Sequence, residues 1–270
     1  MEDLKTYQEI AKKARKTILE MIYRTKGPHI GCSFSMVELL TALYFKILKV
    51  DAKNPANPDR DRFLLSKGHG VPALYAILAE KGFIDEKTLA GFARDGGTLE
   101  QHPNRDIQKG IEITSGSLGH GLSAGVGMAL AGKYDEKDYR IFVLLGDGEM
   151  EEGSSWEAVL FAGHHKLDNL IAVIDYNKLQ AIAKVSEVLD LEPLAEKFSA
   201  FNWQVKEVDG HDIKEIINAL GSVPFKAGKP SCLIAHTIKG KGVSFMEGDP
   251  RWHDKCPDDN EYRLALKEIQ

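Results

Sequence analysis

The stretch Ile141-Phe142-Val143-Leu144-Leu145-Gly146-Asp147-Gly148-Glu149 runs from an apolar segment into an acidic turn flanked by glycines. A second apolar run, Leu170-Ile171-Ala172-Val173-Ile174, ends shortly before Asn177. Uninterrupted apolar runs bounded by turn residues are typical of strands buried on both faces of a parallel sheet. The stretch therefore predicts a strand, a turn, a helix and a second strand. Ligands of such sheets bind beyond the carboxyl ends of the strands, where Asp147 and Asn177 are expected.

These two residues supply the kinds of oxygen atom that Mg²⁺ prefers in proteins. Asp147 offers a carboxylate, Asn177 offers an amide oxygen, and the backbone carbonyl of Leu179 follows closely. Mg²⁺ takes near-octahedral oxygen ligands and usually keeps phosphate oxygens and water among them. Gly148 has no Cβ, so its backbone can approach a phosphate closely. The pattern predicts a magnesium–diphosphate site.

The rest of the chain alternates between helical and extended patterns. Helices are predicted at about residues 3–25, 35–48, 72–81, 119–132 and 212–220, and further strands at 63–65, 203–208 and 231–235. Ser35 is a predicted N-cap, with Glu38 completing a capping box. The spacing of Gly121, Gly125 and Ala129 predicts close backbone packing against another element. We expect a three-layer α/β/α fold with a mostly parallel sheet, formed by a single domain over residues 1–270.

Composition narrows the class of protein. Of the 270 residues, 43% are apolar and 28% are charged, as in ordinary globular proteins, and the formal net charge of −5 argues against nucleic acid as a partner. We find no apolar run long enough for a membrane span and no secretory pattern at the N-terminus. The odd number of widely spaced cysteines fits reduced thiols. These features predict a cytoplasmic protein without nucleic-acid or membrane partners.

Eight short segments, in the family's order, resemble the N-terminal third of a transketolase, the part that binds thiamine diphosphate. The segments are residues 27–35, 65–70, 101–103, 114–122, 146–148 with 152–153, 175–179, 209–212 and 236–242. Each segment alone is a weak indication, but together they cover nearly the whole chain. The resemblance implies a thiamine-diphosphate-binding fold and an enzyme that transfers ketol groups.

The resemblance also implies roles for individual residues at the cofactor. Asp147, Asn177 and the Leu179 carbonyl would hold Mg²⁺. Gly148-Glu149 and Asn177 would bind the diphosphate, and Gly116-Ser117-Leu118 would line the aminopyrimidine side.

A second group of residues is implied to act on the sugar or on the assembly. His69 would lie over the cofactor near its diphosphate and the reacting carbon, while His29, His102 and His253 would face the sugar. Glu152 would sit at the subunit contact. Imidazole titrates near neutrality, so histidines can remove and return the proton of a sugar hydroxyl. The chain departs from the family pattern at His253, which is followed by Asp-Lys-Cys-Pro.

A complete transketolase continues into a pyrimidine-binding domain and a third domain. The glutamate that activates the cofactor lies in that second domain. We therefore expect this chain to be the N-terminal subunit of a two-chain transketolase, active only with a C-terminal partner chain in an α2β2 assembly. With that partner it would transfer a two-carbon ketol unit from a ketose phosphate to an aldose phosphate, using thiamine diphosphate and Mg²⁺.

Other functions remain open from the sequence. The chain could be the α chain of a 2-oxo-acid dehydrogenase or decarboxylase, which shares the magnesium clamp but lacks this set of histidines. It could also be a non-catalytic subunit that regulates a complete transketolase. Lys239 and Lys241 lie in a glycine-rich segment that either approaches phosphate or is solvated. The run 119–125 resembles a dinucleotide-binding fingerprint only weakly, because the Gly-Asp-Gly turn at 146–148 stands at the end of the next strand, where a ribose-binding acid would be expected.

Overall fold

A computed structural model describes residues 2–269 of the chain. Its central sheet has five strands in the order β1-β2-β3-β5-β4, and every neighbouring pair is parallel. The strands are β1 (Arg62–Leu65), β2 (Ile141–Gly146), β3 (Leu170–Tyr176), β4 (Gln204–Asp209) and β5 (Ser231–His236). The prediction of a parallel sheet is confirmed.

Helices cover both faces of this sheet. They are α1 (Glu2–Thr25), α2 (Ile30–Ser35), α3 (Val37–Ala42), α4 (Val71–Glu80), α5 (Glu86–Ala90), α6 (Gly121–Tyr134), α7 (Gly153–His164), α8 (Val185–Val188), α9 (Leu194–Ala200), α10 (Ile213–Leu220) and α11 (Asp259–Glu268). Short helical turns lie at Leu43–Ile47, Gly68–Gly70, Ile107–Lys109, Gly148–Glu151 and Pro250–His253. No helix within residues 2–269 is both long and apolar enough to cross a membrane.

Alternate residues of the central strands feed two separate hydrophobic cores. In β2, Phe142 and Leu144 join the core beneath α1, α3 and α4, whereas Ile141, Val143 and Leu145 join the core beneath α6 and α7. This division follows from the two-residue repeat of a strand, which points successive side chains to opposite faces. Both faces of β2 are buried in apolar cores, which explains why Ile141–Leu145 contains no polar residue. The predicted three-layer α/β/α fold is confirmed.

The glycines of α6 bring that helix close to the sheet. A Cβ atom on Gly125 would lie 2.6 Å from the Cγ2 atom of Val143 in β2, and one on Gly121 would lie 2.2 Å from the Oγ atom of Ser66. Both distances are too short for carbon, so the helix fits here only because side chains are absent. The predicted close packing of this face is confirmed, and its partner is the sheet of the same chain.

The predicted capping box at Ser35 is wrong. Ser35 is the last residue of α2, and α3 begins after Met36 without a side-chain cap. The Ser35 hydroxyl instead donates to the buried carboxylate of Asp175, while the Glu38 carboxylate pairs with Arg15. Both polar side chains of the apparent motif serve long-range contacts, which local sequence spacing does not reveal.

Candidate active site at the carboxyl ends of the strands

A cavity of about 550 Å³ lies at the carboxyl ends of β1, β2, β3 and β5. Most of the predicted site residues line it, although they come from segments far apart in the chain. The predicted residues in its lining are His29, His69, Gly116, Leu118, Asp147, Gly148, Glu149, Glu152, Asn177, Leu179 and His253. Two further predicted residues, His102 and Ser117, have exposed side chains nearby. The parallel sheet therefore gathers the predicted residues at one edge.

Asp147 and Asn177 follow the neighbouring strands β2 and β3, whose last registered pair is Gly146 with Asp175. One carboxylate oxygen of Asp147 accepts a hydrogen bond from the Gly148 amide at 2.8 Å, and the other accepts from the Lys178 amide. The Asn177 Oδ1 atom accepts from the Leu179 amide at 3.1 Å. These bonds fix both side chains in the turns that carry them.

The Asp147 carboxylate is buried without a neutralising cation. It forms no ion pair within the described part of the chain, residues 2–269. Burial, together with the charge of Asp175, raises the pKa of Asp147 to about 7. A bound divalent cation would remove this penalty, because it favours the ionised carboxylate. The donor set of carboxylate, amide and carbonyl oxygens therefore fits Mg²⁺.

A buried ion pair lies beneath the cavity. Lys67 Nζ donates to the Asp175 carboxylate and, at 3.2 Å, to the carbonyl of Cys32. The same carboxylate accepts from the hydroxyls of Ser35 and Thr237. Burial alone would lower the pKa of Lys67, but the charge and hydrogen bond of Asp175, together with the charges of Cys32 and Asp147, outweigh burial and raise it. The pair therefore joins the ends of β1 and β3 to α2 and to the segment after β5.

Lys239 brings a second buried cation to the cavity wall. Its side chain is buried, and Nζ donates to the Gln180 carbonyl at 2.8 Å and lies 3.2 Å from Nδ1 of His253. Burial and the nearby charge of Lys67 lower its pKa. Among residues 2–269 no carboxylate lies within ion-pair distance of this ammonium group. The cavity therefore presents a positive charge that an anionic ligand can neutralise.

Four histidines cluster above this wall. The ring centroid of His29 lies 5.2 Å from those of His69 and His253 and 6.0 Å from that of His102. Burial and the neighbouring imidazoles lower the pKa of His29 to about 4, and burial with Lys239 lowers that of His253 to about 4. Burial also lowers the pKa of His69 well below its ordinary value. These three rings are therefore neutral at physiological pH.

Two glutamates, Glu149 and Glu152, also line the cavity. The buried Glu149 carboxylate accepts hydrogen bonds from the Ser66 hydroxyl, from the Gly119 amide at 2.9 Å and from the Gly146 amide at 3.3 Å. It thus holds together three segments that border the cavity. Glu152 is exposed at the beginning of α7 and also lines the cavity.

A match to a known protein family identifies the family to which this chain belongs. Residues 6–268 match the family model described as the transketolase, thiamine diphosphate binding domain. The chain belongs to the transketolase family. The predicted resemblance is confirmed, and so is the predicted thiamine-diphosphate-binding fold. The family match and the relatives below favour neither the 2-oxo-acid dehydrogenase α chain nor the regulatory subunit.

Relatives of two lengths are similar to this transketolase-family chain. It is 44% identical over 266 residues to one of the subunits of the apulose-4-phosphate transketolase of Phocaeicola vulgatus, covering 98% of this chain and 94% of the relative. It is 45% identical over 263 residues to the SqwG subunit of the 6-deoxy-6-sulfo-D-fructose transketolase of Clostridium sp. (strain MSTE9), covering 97% and 96%. The structure of the Campylobacter jejuni transketolase superposes with a TM-score of 0.90 at 30% identity, covering 97% of this chain but 42% of that chain.

No pattern in the sequence indicates the Lys67–Asp175 pair, and none decides whether Lys239 is buried or solvated. A single acid inside an otherwise apolar strand was the available signal for Asp175, because a buried charge requires a partner. The partner itself could not be identified, since Lys67 lies 108 positions away in the chain. Lys239 precedes Gly240 and Gly242 in a glycine-rich segment, and only the folded structure shows that it is buried.

Proposed function

We propose that this chain is the diphosphate-binding subunit of a two-chain transketolase, and that its residues form one domain. With a partner chain it would transfer a two-carbon ketol unit from a ketose phosphate to an aldose phosphate, using thiamine diphosphate and Mg²⁺. One observation carries the proposal. The same cavity is lined by the Asp147 carboxylate, which has no cationic partner in residues 2–269, by Lys239, which has no carboxylate partner there, and by neutral histidines.

The lower part of the cavity suits a magnesium diphosphate. Asp147, Asn177 and the Leu179 carbonyl would bind the metal, while the Gly148 backbone and Lys239 would contact phosphate oxygens. The opposite charges of Asp147 and Lys239 are both left without ion-pair partners in residues 2–269, so a metal and an anion binding together would neutralise both. Gly116 and Leu118 would border the ring of the cofactor, with Ser117 and Glu149 supporting that wall.

The histidines suit a sugar substrate. When bound, thiamine diphosphate supplies the carbanion chemistry, and the protein positions the substrate and moves protons. Because Nδ1 of His253 accepts from Lys239, the neutral ring carries its proton on Nε2 and can donate it to a substrate oxygen. The rings of His69 and His102 lie beside that of His29, so a sugar hydroxyl entering there meets several imidazole nitrogens that can donate or accept hydrogen bonds.

The partner is supported by the lengths of the relatives. The chain spans nearly the full length of two proteins named as transketolase subunits but about two-fifths of the Campylobacter jejuni transketolase. We propose that a separate C-terminal chain supplies a pyrimidine-binding domain. An α2β2 complex would give each site both halves, with Glu152 at the contact between subunits. We also propose a cytoplasmic location.

Ketol transfer by the chain alone and by its complex tests this function. The chain is tagged, isolated from its native cells with any bound chain, and compared with the same chain purified alone. We expect transfer from a ketose phosphate to an aldose phosphate only by the complex, and only with thiamine diphosphate and Mg²⁺. The Asp147→Ala complex should be inactive. Transfer by the chain alone at the rate of the complex would contradict the two-chain proposal.

A further inference from the structure

A line of hydrogen bonds runs behind the cofactor site through Arg15 on α1, Glu38 on α3 and His211 after β4. Arg15 binds Glu38 through both of its terminal nitrogens, at 2.6 and 2.7 Å, and His211 Nδ1 lies 3.0 Å from the same carboxylate. Burial alone would raise the pKa of Glu38, but Arg15 and His211 lower it to about 2. Glu38 is therefore an ionised acceptor at the centre of the line.

The backbone amide of Ile238 fixes the tautomer of His211. That amide donates to the His211 Nε2 atom at 2.8 Å, so Nε2 carries no proton. The ring proton must then reside on Nδ1, where it is donated to Glu38. His211 thus links an anchored carboxylate on one side to a backbone amide on the other.

The segment held in this way carries Lys239. Ile238 immediately precedes Lys239, and Arg15 Nε donates to the Lys241 carbonyl at 3.0 Å on the far side. The segment is therefore bound at both ends by one side-chain network. Between these two hydrogen bonds lies Lys239, whose ammonium group reaches the Gln180 carbonyl and His253 at the cavity wall.

We propose that His211, oriented by Glu38 and Arg15, is a positioning residue that sets Lys239 in the cofactor cavity. This inference rests on the proposed function, because it assigns Lys239 to the diphosphate of the cofactor. The proposal also gives a physical role to the segment Asp209-Gly210-His211-Asp212, although none of these four residues is among those that line the cavity. A side-chain acceptor at position 211 holds an amide that would otherwise need water or another partner.

Two substitutions separate the two hydrogen bonds of the ring. In His211→Gln the amide oxygen reaches about as far as Nε2 and can still accept from Ile238. In His211→Asn the amide nitrogen stands near the place of Nδ1 and can still donate to Glu38, but nothing reaches Ile238. For each full-length variant, amide exchange at Ile238 is measured by NMR, and acylation of the Lys239 amine by a succinimidyl ester is followed by mass spectrometry.

We expect His211→Asn to speed exchange at Ile238 by about tenfold or more and to make Lys239 reactive. His211→Gln should stay within about threefold of the wild-type chain in both measurements. Wild-type behaviour of His211→Asn, or equal loosening by both variants, would overturn the inference. Should His211→Asn fail to fold, Ile238→Pro removes the same N–H from the other side and should likewise expose Lys239. Unchanged acylation in that variant would also overturn it.

Cofactor affinity then shows whether His211 acts through Lys239. Calorimetric titration with thiamine diphosphate and Mg²⁺ compares His211→Asn, Lys239→Met and the double variant. If His211 acts through Lys239, its substitution weakens binding in the wild-type background by roughly three- to tenfold but changes little in Lys239→Met. Additive losses would overturn the proposal. If the wild-type chain and its complex bind no cofactor, the proposed function fails, whereas the exchange and acylation results still decide the positioning role.

Discussion

The Nζ atom of Lys239 lies 3.2 Å from Nδ1 of His253, so one buried cation contacts the histidine cluster and also lines the cavity proposed to hold the diphosphate. The contact joins the two halves of the proposed site. It places the charge expected to bind an anion beside the imidazole expected to face the sugar. A substitution of Lys239 should therefore weaken cofactor binding.

Replacing Lys239 with methionine should weaken the binding of thiamine diphosphate in the presence of Mg²⁺ by roughly ten- to a hundredfold. The reason is the loss of a charge-assisted hydrogen bond in a buried place, which contributes about 1.5–3 kcal/mol. Isothermal titration calorimetry gives the affinity. The matched control is Lys241→Met, since Lys241 is partly exposed and pairs with Glu247 at 3.4 Å. Equal losses in the two variants would refute a specific role for Lys239.

The histidine cluster should make the stability of the chain depend on pH. His29 and His253 have pKa values of about 4 in the folded chain, whereas an unfolded histidine titrates near 6.5. Between these values the unfolded chain binds protons that the folded chain does not, so the free energy of unfolding falls as the pH drops from about 6.5 toward 4. Urea unfolding of the wild type and of His29→Gln/His253→Gln at several pH values tests this. The double variant should lose less stability across that window, and parallel curves would contradict the expectation.

The buried pair of Lys67 and Asp175 should be essential to stability. Lys67→Met leaves the Asp175 carboxylate buried without its cation, a change that destabilises proteins by about 3–5 kcal/mol. Lys13→Met is the control, because Lys13 pairs with Glu80 at the surface and should contribute less than about 1 kcal/mol. Chemical denaturation provides both values. Similar midpoints for the two variants would show that the buried pair has no special role.

Two glycines of α6 should respond oppositely to alanine. Gly125→Ala places a methyl group 2.6 Å from Val143 and should destabilise the chain by about 1–3 kcal/mol. Gly127→Ala meets no atom within 4 Å and should stabilise the helix by about 0.5–1 kcal/mol. Thermal unfolding gives the order Gly127→Ala, wild type, Gly125→Ala. Any other order would contradict the close packing of this helix on β2.

Much of the fold, and the placement of most candidate site residues at one edge of the sheet, could be predicted because they depend on local patterns. The apolar runs of β2 and β3 identify buried strands, and the parallel arrangement places the turn after each strand at one edge. Asp147 and Asn177 follow directly from that rule. The four-residue spacing of Gly121 and Gly125 places both on one face of a helix and indicates its close packing.

What the sequence did not reveal depends on contacts between distant segments. Ser35 and Glu38 have the spacing of a capping box, yet their side chains bind Asp175 and Arg15. The burial of Lys239 follows from the folding of the segment after β5 against Gly31 and His253, which no local pattern encodes. Long-range polar contacts of this kind carry no periodic signal.

Magnesium-dependent binding of thiamine diphosphate to the complex of this chain with its partner tests the central claim most directly. Calorimetry on wild-type and Asp147→Ala complexes should give one cofactor per copy of this chain for the wild type. It should give no measurable binding after removal of divalent ions with a chelator or in the Asp147→Ala complex, because the ionised carboxylate is the proposed anchor of the metal. Binding that survives both changes would contradict the assignment of the site at the ends of β2 and β3.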